Sequence, residues 1–398
     1  MDNSVTTPLK RHRLHYFELG HSKYLYLLSN LLPVAATALI FFLPYYFVST
    51  LQFSLLQAGL LMSCYGIGIF MAILLTPYLS LQYVPRKIIL FALLTNCIAL
   101  SPLLYAKTSL LLSFSLALLG FAGYLFKNNH PHLLLQQAED EDYTQTKILQ
   151  QSYIASNIGL GLAMLIIAIF DINNFKALFI TAIVLNALPL FFLPRDVNTP
   201  RPICFNAHPT PTLFSLLLLF LGGLLLSQFT ATYGIYLCLQ YPHVGLTAMA
   251  IFMLTNVFIV SWLQKPMLAI FNRGSKVLHA GCGVLLIGLG YYIISLTHIF
   301  TLVILSAMII SLGELFFISS LHYLCKRFFQ GTLAVSLIVG ASLSAYLYQF
   351  FGANILWQSC AYVGIACFVL ALIYCALQRM SSYLIKLMRV VKPRAESL

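Results

Sequence analysis

The sequence predicts an all-α membrane protein with twelve transmembrane helices arranged as two pseudo-symmetric six-helix bundles. Three observations lead to this fold class: 60% of the 398 residues are hydrophobic, only 8% are charged, and long apolar runs recur along the chain. Because water-soluble domains carry about 25% charged residues, this chain could not cover a water-exposed surface. A membrane-spanning helix needs about 20 apolar residues, so twelve would use about 240 positions, which this composition can supply.

Twelve apolar runs are long enough to cross a bilayer, with polar residues between them. They cover residues 24–49, 54–78, 88–106, 109–129, 149–170, 175–193, 212–237, 244–264, 277–296, 299–324, 333–351 and 355–378. The runs are continuously apolar, whereas strands of a membrane β-barrel alternate polar and apolar residues over about ten positions. We therefore expect helices, which satisfy their own backbone hydrogen bonds in lipid.

The distribution of basic residues predicts the orientation. With the amino end in the cytoplasm, nineteen Lys and Arg residues fall in cytoplasmic loops and tails, and only Lys107 and Lys176 fall outside. The positive-inside bias then places both termini in the cytoplasm, and we expect a multi-pass protein of a bacterial inner membrane. The net charge of +12 reflects this topology. It does not indicate binding to nucleic acid.

The chain is predicted to divide near its midpoint. A segment rich in proline, 194–211, forms a cytoplasmic linker between an amino-terminal bundle, 1–193, and a carboxy-terminal bundle with a basic cytoplasmic tail, 212–398. Two pairs of segments align at half-length spacing: 76–89 with 265–278 at an offset of 189, and 123–134 with 313–324 at an offset of 190. Two alignments at nearly one offset indicate a six-plus-six duplication.

Twelve spans, a central loop, parallel halves and short basic loops after spans two and eight resemble the major facilitator superfamily over the whole chain. The resemblance implies a secondary transporter that works by alternating access. That family's loop after span two has the pattern Gly-x-Leu-x-Asp-Arg-x-Gly-Arg-Arg, and here Pro77 and Leu81 replace the first glycine and the acidic residue. The basic residues expected in the two loops are Arg86, Lys87, Arg273 and Lys276.

A finer resemblance, confined to spans four, five and ten, is to the proton-dependent oligopeptide transporters. Residues 153–159, Tyr-Ile-Ala-Ser-Asn-Ile-Gly, are similar to that family's Phe-Tyr-x-x-Ile-Asn-x-Gly signature, with Ser152 at the Phe position. Lys127 and the Gly313-Glu314 pair match the lysine of its span four and the Gly-Glu of its span ten. The acidic-and-arginine motif of its first span is missing here. The resemblance therefore implies proton coupling without identifying peptides as cargo.

Glu314 is the acidic residue expected deep in the membrane, because the other nine lie in tails, loops or span ends. It precedes the cytoplasmic Lys326-Arg327 pair by about twelve residues, or roughly 18 Å of helix. A carboxylate at that depth costs about 2.5 to 3.5 kcal/mol on insertion scales, so a proton, a cation or a partner should neutralise it. We predict that Glu314 couples transport to protons. The alternative is a protonated side chain that bonds a neighbouring helix.

Lys127 is the other deep charge. In the repeat alignment Glu314 overlies Tyr124, three positions from Lys127, which places both charges on one face of equivalent helices. We expect the two charges to form a gate: they pair when the cytoplasmic side is shut and separate when a proton or substrate binds. Alternatively, Lys127 snorkels to the lipid headgroups, because the polar residues 128–130 follow it.

Polar residues in spans one, four, five and seven are candidates for hydrogen bonds to a substrate in the cavity. They are Asn30, Tyr124, Asn157, Gln228, Thr232 and Tyr233. Each could instead bond a neighbouring helix, as polar side chains within membrane bundles often do.

The sequence contains no phosphate-binding loop, catalytic triad, metal-ligand spacing or cofactor motif. An enzyme and an ATP-driven pump are therefore disfavoured, and a channel would need rings of charge or a carbonyl filter that the pattern does not offer. We expect a monomeric secondary transporter in the lipid bilayer that moves a small organic solute, a zwitterion or an anion, by symport with protons. Proton-coupled efflux of drugs, siderophores or metabolites is the alternative.

Overall fold

The computed structural model describes residues 27–136, 142–169, 174–193, 212–242, 244, 246–271, 274–296, 299–324 and 328–395. Within these residues every regular element is a helix. The predicted all-α class is thus confirmed.

Twelve helices, numbered α1 to α12 in chain order, account for these elements. They are α1 Leu27–Ser49, α2 Leu55–Gln82, α3 Pro85–Leu100, α4 Ser109–Gln136, α5 Asp142–Ile169, α6 Phe175–Ala187, α7 in the three segments Leu213–Leu226, Gln228–Ala231 and Tyr233–Gln240, α8 Leu246–Phe271, α9 Lys276–Leu296, α10 Phe300–Leu324, α11 Phe329–Phe351 and α12 Ala353–Ala395. Short helical turns at Ala38–Phe41 within α1, at Ser101–Leu104 after α3 and at Pro189–Phe192 after α6 complete the set.

Eleven spans in the described part of the chain are long and apolar enough to cross a membrane. The exception is α5, whose apolar stretch, Ile154–Ile169, is shorter because polar residues fill its first half. A multi-pass membrane protein is therefore established, while the twelfth span remains a prediction. The predicted linker 194–211 lies outside the described residues, so the division into two domains also remains a prediction.

Small residues let neighbouring helices approach closely. α2 and α4 meet at Gly68 and Gly120, where an added methyl group would collide with the carbonyl oxygens of Ala117 and Tyr65, respectively. Close backbone approach of this kind is how helices associate in lipid, where apolar side chains gain little by leaving the surrounding hydrocarbon. Packing therefore requires glycine at both positions.

The helices before and after the 194–211 segment meet mainly through two pairs, α2 with α11 and α5 with α8, and α7 also contacts α1 and α2. In the first pair, the Ser63 hydroxyl lies 2.6 Å from the Ser342 hydroxyl and 2.6 Å from the Ile338 carbonyl oxygen. The Leu56 amide donates to Oε1 of Gln349 at 2.9 Å. These contacts join the first half of α2 to the second half of α11, so they lie at one end of the bundle.

Candidate functional site

Glu314 lies on α10 and is half-buried. Its Oε2 accepts a hydrogen bond of 2.8 Å from Nδ2 of Asn256 on α8. The same Asn256 nitrogen donates to the Ser311 hydroxyl at 3.0 Å, and Ser311 donates in turn to the Ala307 carbonyl at 2.6 Å. Ser311 precedes Glu314 by three residues and so shares its helix face. A chain of neutral hydrogen-bonding groups therefore holds the carboxylate.

Lys127 lies on α4, nine residues before the end of that helix at Gln136, and its side chain is exposed. It also interacts electrostatically with Glu314 on α10. Both the cavity role of Lys127 and its snorkelling alternative stay predictions.

The two charges do not form a direct ion pair within 4.0 Å in the described part of the chain. Their interaction acts across a gap, and α4 and α10 are not among the helix pairs that pack closely there. The site thus contains one acid and one base on different helices that are not directly paired.

Asn30 on α1 is buried and joins α1 to α5. Its Nδ2 lies 2.7 Å from the Ser152 carbonyl oxygen, 3.1 Å from the Ser152 hydroxyl and 3.0 Å from the Ser156 hydroxyl. The adjacent Ser29 hydroxyl lies 2.9 Å from Nε2 of His130 on α4. In this conformation Asn30 thus serves helix contacts, and its predicted role in binding a substrate stays a prediction.

The three candidates on α7 are buried at the interruptions of that helix. Thr232 donates to Oε1 of Gln228 at 2.7 Å, and Nε2 of Gln228 donates to the Leu224 carbonyl at 3.1 Å. Tyr233 packs among aromatic rings, with Phe252 at 4.3 Å and Trp357 at 5.9 Å between ring centroids. Gln228 and Thr232 thus bond within α7, whereas the buried hydroxyl of Tyr233 has no hydrogen-bond partner among the described residues, and the role of all three in the cavity stays a prediction.

The remaining candidate residues that the structure describes lie in the helices and loops predicted for them. Tyr124 and Asn157 are half-buried on α4 and α5, and Asn157 has an interaction partner. Arg86 and Lys87 begin α3, and Lys276 begins α9, at the predicted loops. Arg273 lies outside the described residues. Among the described side chains, no group of three His, Cys, Asp or Glu residues could hold a metal ion.

Sequence reasoning missed Asn256, which makes the shortest contact to Glu314. An asparagine within an apolar run indicates a polar partner in a neighbouring helix. Nothing in a single helix identifies that partner, because it lies 58 positions away on α10.

The whole-chain pattern can be compared with known families. The family model described as Major Facilitator Superfamily matches residues 25–334. The chain belongs to the major facilitator superfamily. As a member of this superfamily the protein is a secondary transporter and not an enzyme.

Solved structures of other superfamily transporters share the fold. A POT family transporter in complex with a thioalcohol-conjugated peptide is 18% identical, with a TM-score of 0.70 over 90% of this chain and 96% of that one. A mutant of the nucleoside transporter NupG is 15% identical, with a TM-score of 0.74 over 88% and 98%. A mutant peptide transporter POT in complex with alafosfalin is 16% identical, with a TM-score of 0.70 over 90% and 94%.

The family match confirms the resemblance to the major facilitator superfamily that the whole chain indicated. At such low identities the solved structures establish a shared superfamily fold and leave the cargo of this chain open. No curated protein sequence matches the chain.

Proposed function

We propose that the protein is a proton-coupled symporter of a small zwitterionic or anionic solute. The observation that carries the proposal is Glu314, a half-buried intramembrane carboxylate held by Asn256 at 2.8 Å and within electrostatic range of Lys127. Ionisable residues within membrane spans are costly and mark ion pathways and proton relays. Glu314 is the proton-coupling residue in this scheme, and Lys127 is its partner in the gate.

The hydrogen bond from Asn256 leaves Glu314 free to change its protonation state. A neutral amide N–H can donate to a carboxylate or to the carbonyl oxygen of a protonated carboxyl group. The positive charge of Lys127 favours the ionised carboxylate. A solute anion that binds Lys127 removes this stabilisation, so Glu314 takes up a proton as the solute binds. Solute and proton then move together.

The gate follows from the same two charges. Unit charges 4 Å apart attract by about 4 kcal/mol at an effective dielectric constant of about 20. That attraction is comparable to the insertion cost of the carboxylate, about 2.5 to 3.5 kcal/mol. A direct Lys127–Glu314 pair thus stabilises a state in which α4 and α10 have come together. Proton and solute binding stabilise the separated state.

The contacts between α2 and α11 support a conformation that is closed at one end. With the predicted orientation, the end that contains Leu56 and Gln349 is the periplasmic end. In this scheme the cavity that contains the exposed Lys127 is open to the cytoplasm. We therefore assign this structure to the cytoplasm-facing stage of alternating access.

The test begins with a thermal-shift screen of the purified full chain against dipeptides, nucleosides and siderophores. A solute that stabilises the protein is then used in proteoliposomes, where we expect a pH gradient to drive its accumulation. Glu314→Gln should lose this accumulation and keep solute exchange at equal pH, whereas Lys127→Ala should lose both.

The control is Lys107→Ala, which removes an exposed lysine outside the spans. It should transport like the wild type. Accumulation that still follows the pH gradient in both Glu314→Gln and Lys127→Ala would exclude the proposed coupling. Solute movement opposite to proton entry would instead indicate efflux.

A further inference from the structure

Gly123 lies on α4 one helical turn before Lys127, so both residues belong to one face of the helix. A methyl group added at Gly123 would meet only two atoms within 4 Å, Cγ2 of Thr37 at 3.8 Å and Oη of Tyr65 at 3.9 Å. Both distances are ordinary van der Waals contacts. At Gly120, the other glycine of α4, a methyl group would collide with backbone. Packing therefore explains Gly120 and does not explain Gly123.

Glycine in a helix interior is less favourable than alanine, because it loses more conformational freedom on folding. Packing forces glycine at neither Gly123 nor Gly331, and Gly123 differs from Gly331 in that Lys127 follows it by one helical turn. Gly123 is half-buried and lies beside the exposed Lys127. The absent side chain thus leaves space for about one methyl group one helical turn from Lys127.

Two side chains from other helices bound this room. Thr37 on α1 donates its hydroxyl to the Pro33 carbonyl at 2.6 Å, which leaves its methyl group as the atom nearest Gly123. Tyr65 on α2 contributes its hydroxyl oxygen. We call the space bounded by Gly123, Thr37 and Tyr65 the α4 notch. Its walls are one methyl group, one phenol hydroxyl and helix backbone.

We propose that Gly123 determines specificity, because the α4 notch admits a small uncharged side group next to the carboxylate of the solute. This inference rests on the proposed function, in which Lys127 binds the anionic end of the solute. Gly123 precedes Lys127 by four residues, about 6 Å along the axis of α4, so a group attached beside that carboxylate can reach the notch. A side group at the opposite, ammonium end lies away from it.

Dipeptides test this inference, because they place a side group at a chosen end of a zwitterion. Glycylglycine, glycylalanine and glycylvaline carry a growing group beside the carboxylate, and alanylglycine and valylglycine carry it beside the ammonium. Binding to the purified full chain is measured by calorimetry. We expect Gly123→Ala to lower the binding affinity for glycylalanine and glycylvaline by about tenfold or more relative to that for glycylglycine. One methyl group that does not fit has effects of this size. Alanylglycine and valylglycine should change by less than about twofold.

Gly331→Ala is the matched control. Gly331 lies on α11, and a methyl group there would meet no atom within 4 Å. It makes the same change of residue type in a helix, away from Lys127, and should leave the ranking of all five dipeptides unchanged. Gly123→Ser is a second variant that adds a group of similar size, and it should shift the ranking in the same direction.

The inference is overturned if Gly123→Ala leaves the ranking within about twofold of the wild type, or if Gly331→Ala changes it equally. It is also overturned if the wild type binds none of the five dipeptides. These outcomes are separate from the pH-gradient experiment. If Gly123→Ala changes the ranking but uptake does not depend on the pH gradient, only the proposed proton coupling is excluded. If uptake depends on the pH gradient but the ranking does not change, only the proposed role of Gly123 is excluded.

Discussion

Nδ2 of Asn256 lies 2.8 Å from Oε2 of Glu314, and this hydrogen bond joins α8 to α10 at the deepest carboxylate of the chain. The bond is charge-assisted when Glu314 is ionised, and such bonds contribute about 1.5 to 3 kcal/mol. Asn256 therefore positions the carboxylate. It contacts neither a solute nor a proton in this scheme.

Asn256→Leu should impair gradient-driven accumulation by about tenfold or more, because each 1.4 kcal/mol lost is a factor of ten. Uptake by proteoliposomes under a pH gradient measures the effect. Asn129→Leu is the control, since Asn129 is buried but donates to the Leu125 carbonyl of its own helix. Equal losses in both variants would mean that Asn256 supports the fold and has no particular role at Glu314.

Exchanging the two deep charges should restore part of what each single change removes. Lys127→Glu and Glu314→Lys each create two like charges across the gap, so each should abolish solute exchange at equal pH. The double variant recreates one acid and one base. Their coupling energy is expected at about 1 to 3 kcal/mol, measured from exchange rates of the four proteins in a double-mutant cycle. A coupling energy near zero would contradict the gate.

Ser63→Cys combined with Ser342→Cys should form a disulfide that locks the end of the bundle where α2 meets α11. The two hydroxyl oxygens are 2.6 Å apart, and a disulfide requires sulfur atoms about 2.05 Å apart, so little movement is needed. Oxidation should stop transport, and a reductant should restore it. Ser63→Cys alone is the control. An oxidised, cross-linked protein that transports at the wild-type rate would show that these helices need not separate.

Asn30→Ala should destabilise the fold, because it removes the contacts from Nδ2 of Asn30 to Ser152 and Ser156. Hydrogen bonds between helices in membranes contribute about 0.6 kcal/mol on average and up to about 1.7, so we expect a loss of about 1 to 3 kcal/mol. Thermal unfolding in detergent measures it. Asn174→Ala, which removes a helix cap outside the spans, serves as the comparison. An unchanged unfolding temperature in Asn30→Ala would contradict a structural role.

Much of the architecture could be predicted from the sequence because lipid restricts the backbone to a few solutions. Continuous apolar runs predicted helices, and most helices begin and end within several residues of those runs, whereas α12 continues beyond its run, which ends at 378, to Ala395. The interruptions of α7 at Ser227 and Thr232 could not be predicted, since apolar composition does not distinguish a continuous helix from a broken one. The polar first half of α5 likewise has no counterpart in the predicted run at 149–170.

The candidate site was predicted in part. The repeat alignment predicted that Lys127 and Glu314 face each other across the cavity, and this arrangement stays a prediction. The hydrogen-bond partners of the polar residues on α7 could not be predicted from the sequence. Gln228 and Thr232 are four positions apart and satisfy one another, so each has a partner that needs no second helix. Asn256 required the three-dimensional arrangement of α8 and α10.

The serine contact between α2 and α11 has a further consequence for how easily the helices part. Ser63 also donates to the Gly59 carbonyl at 3.2 Å, and Ser342 to the Ile338 carbonyl at 3.4 Å. Each hydroxyl thus keeps an acceptor on its own helix after the other serine has left. Separation strands no polar group in hydrocarbon, so these two surfaces can detach and rejoin many times at little energetic cost.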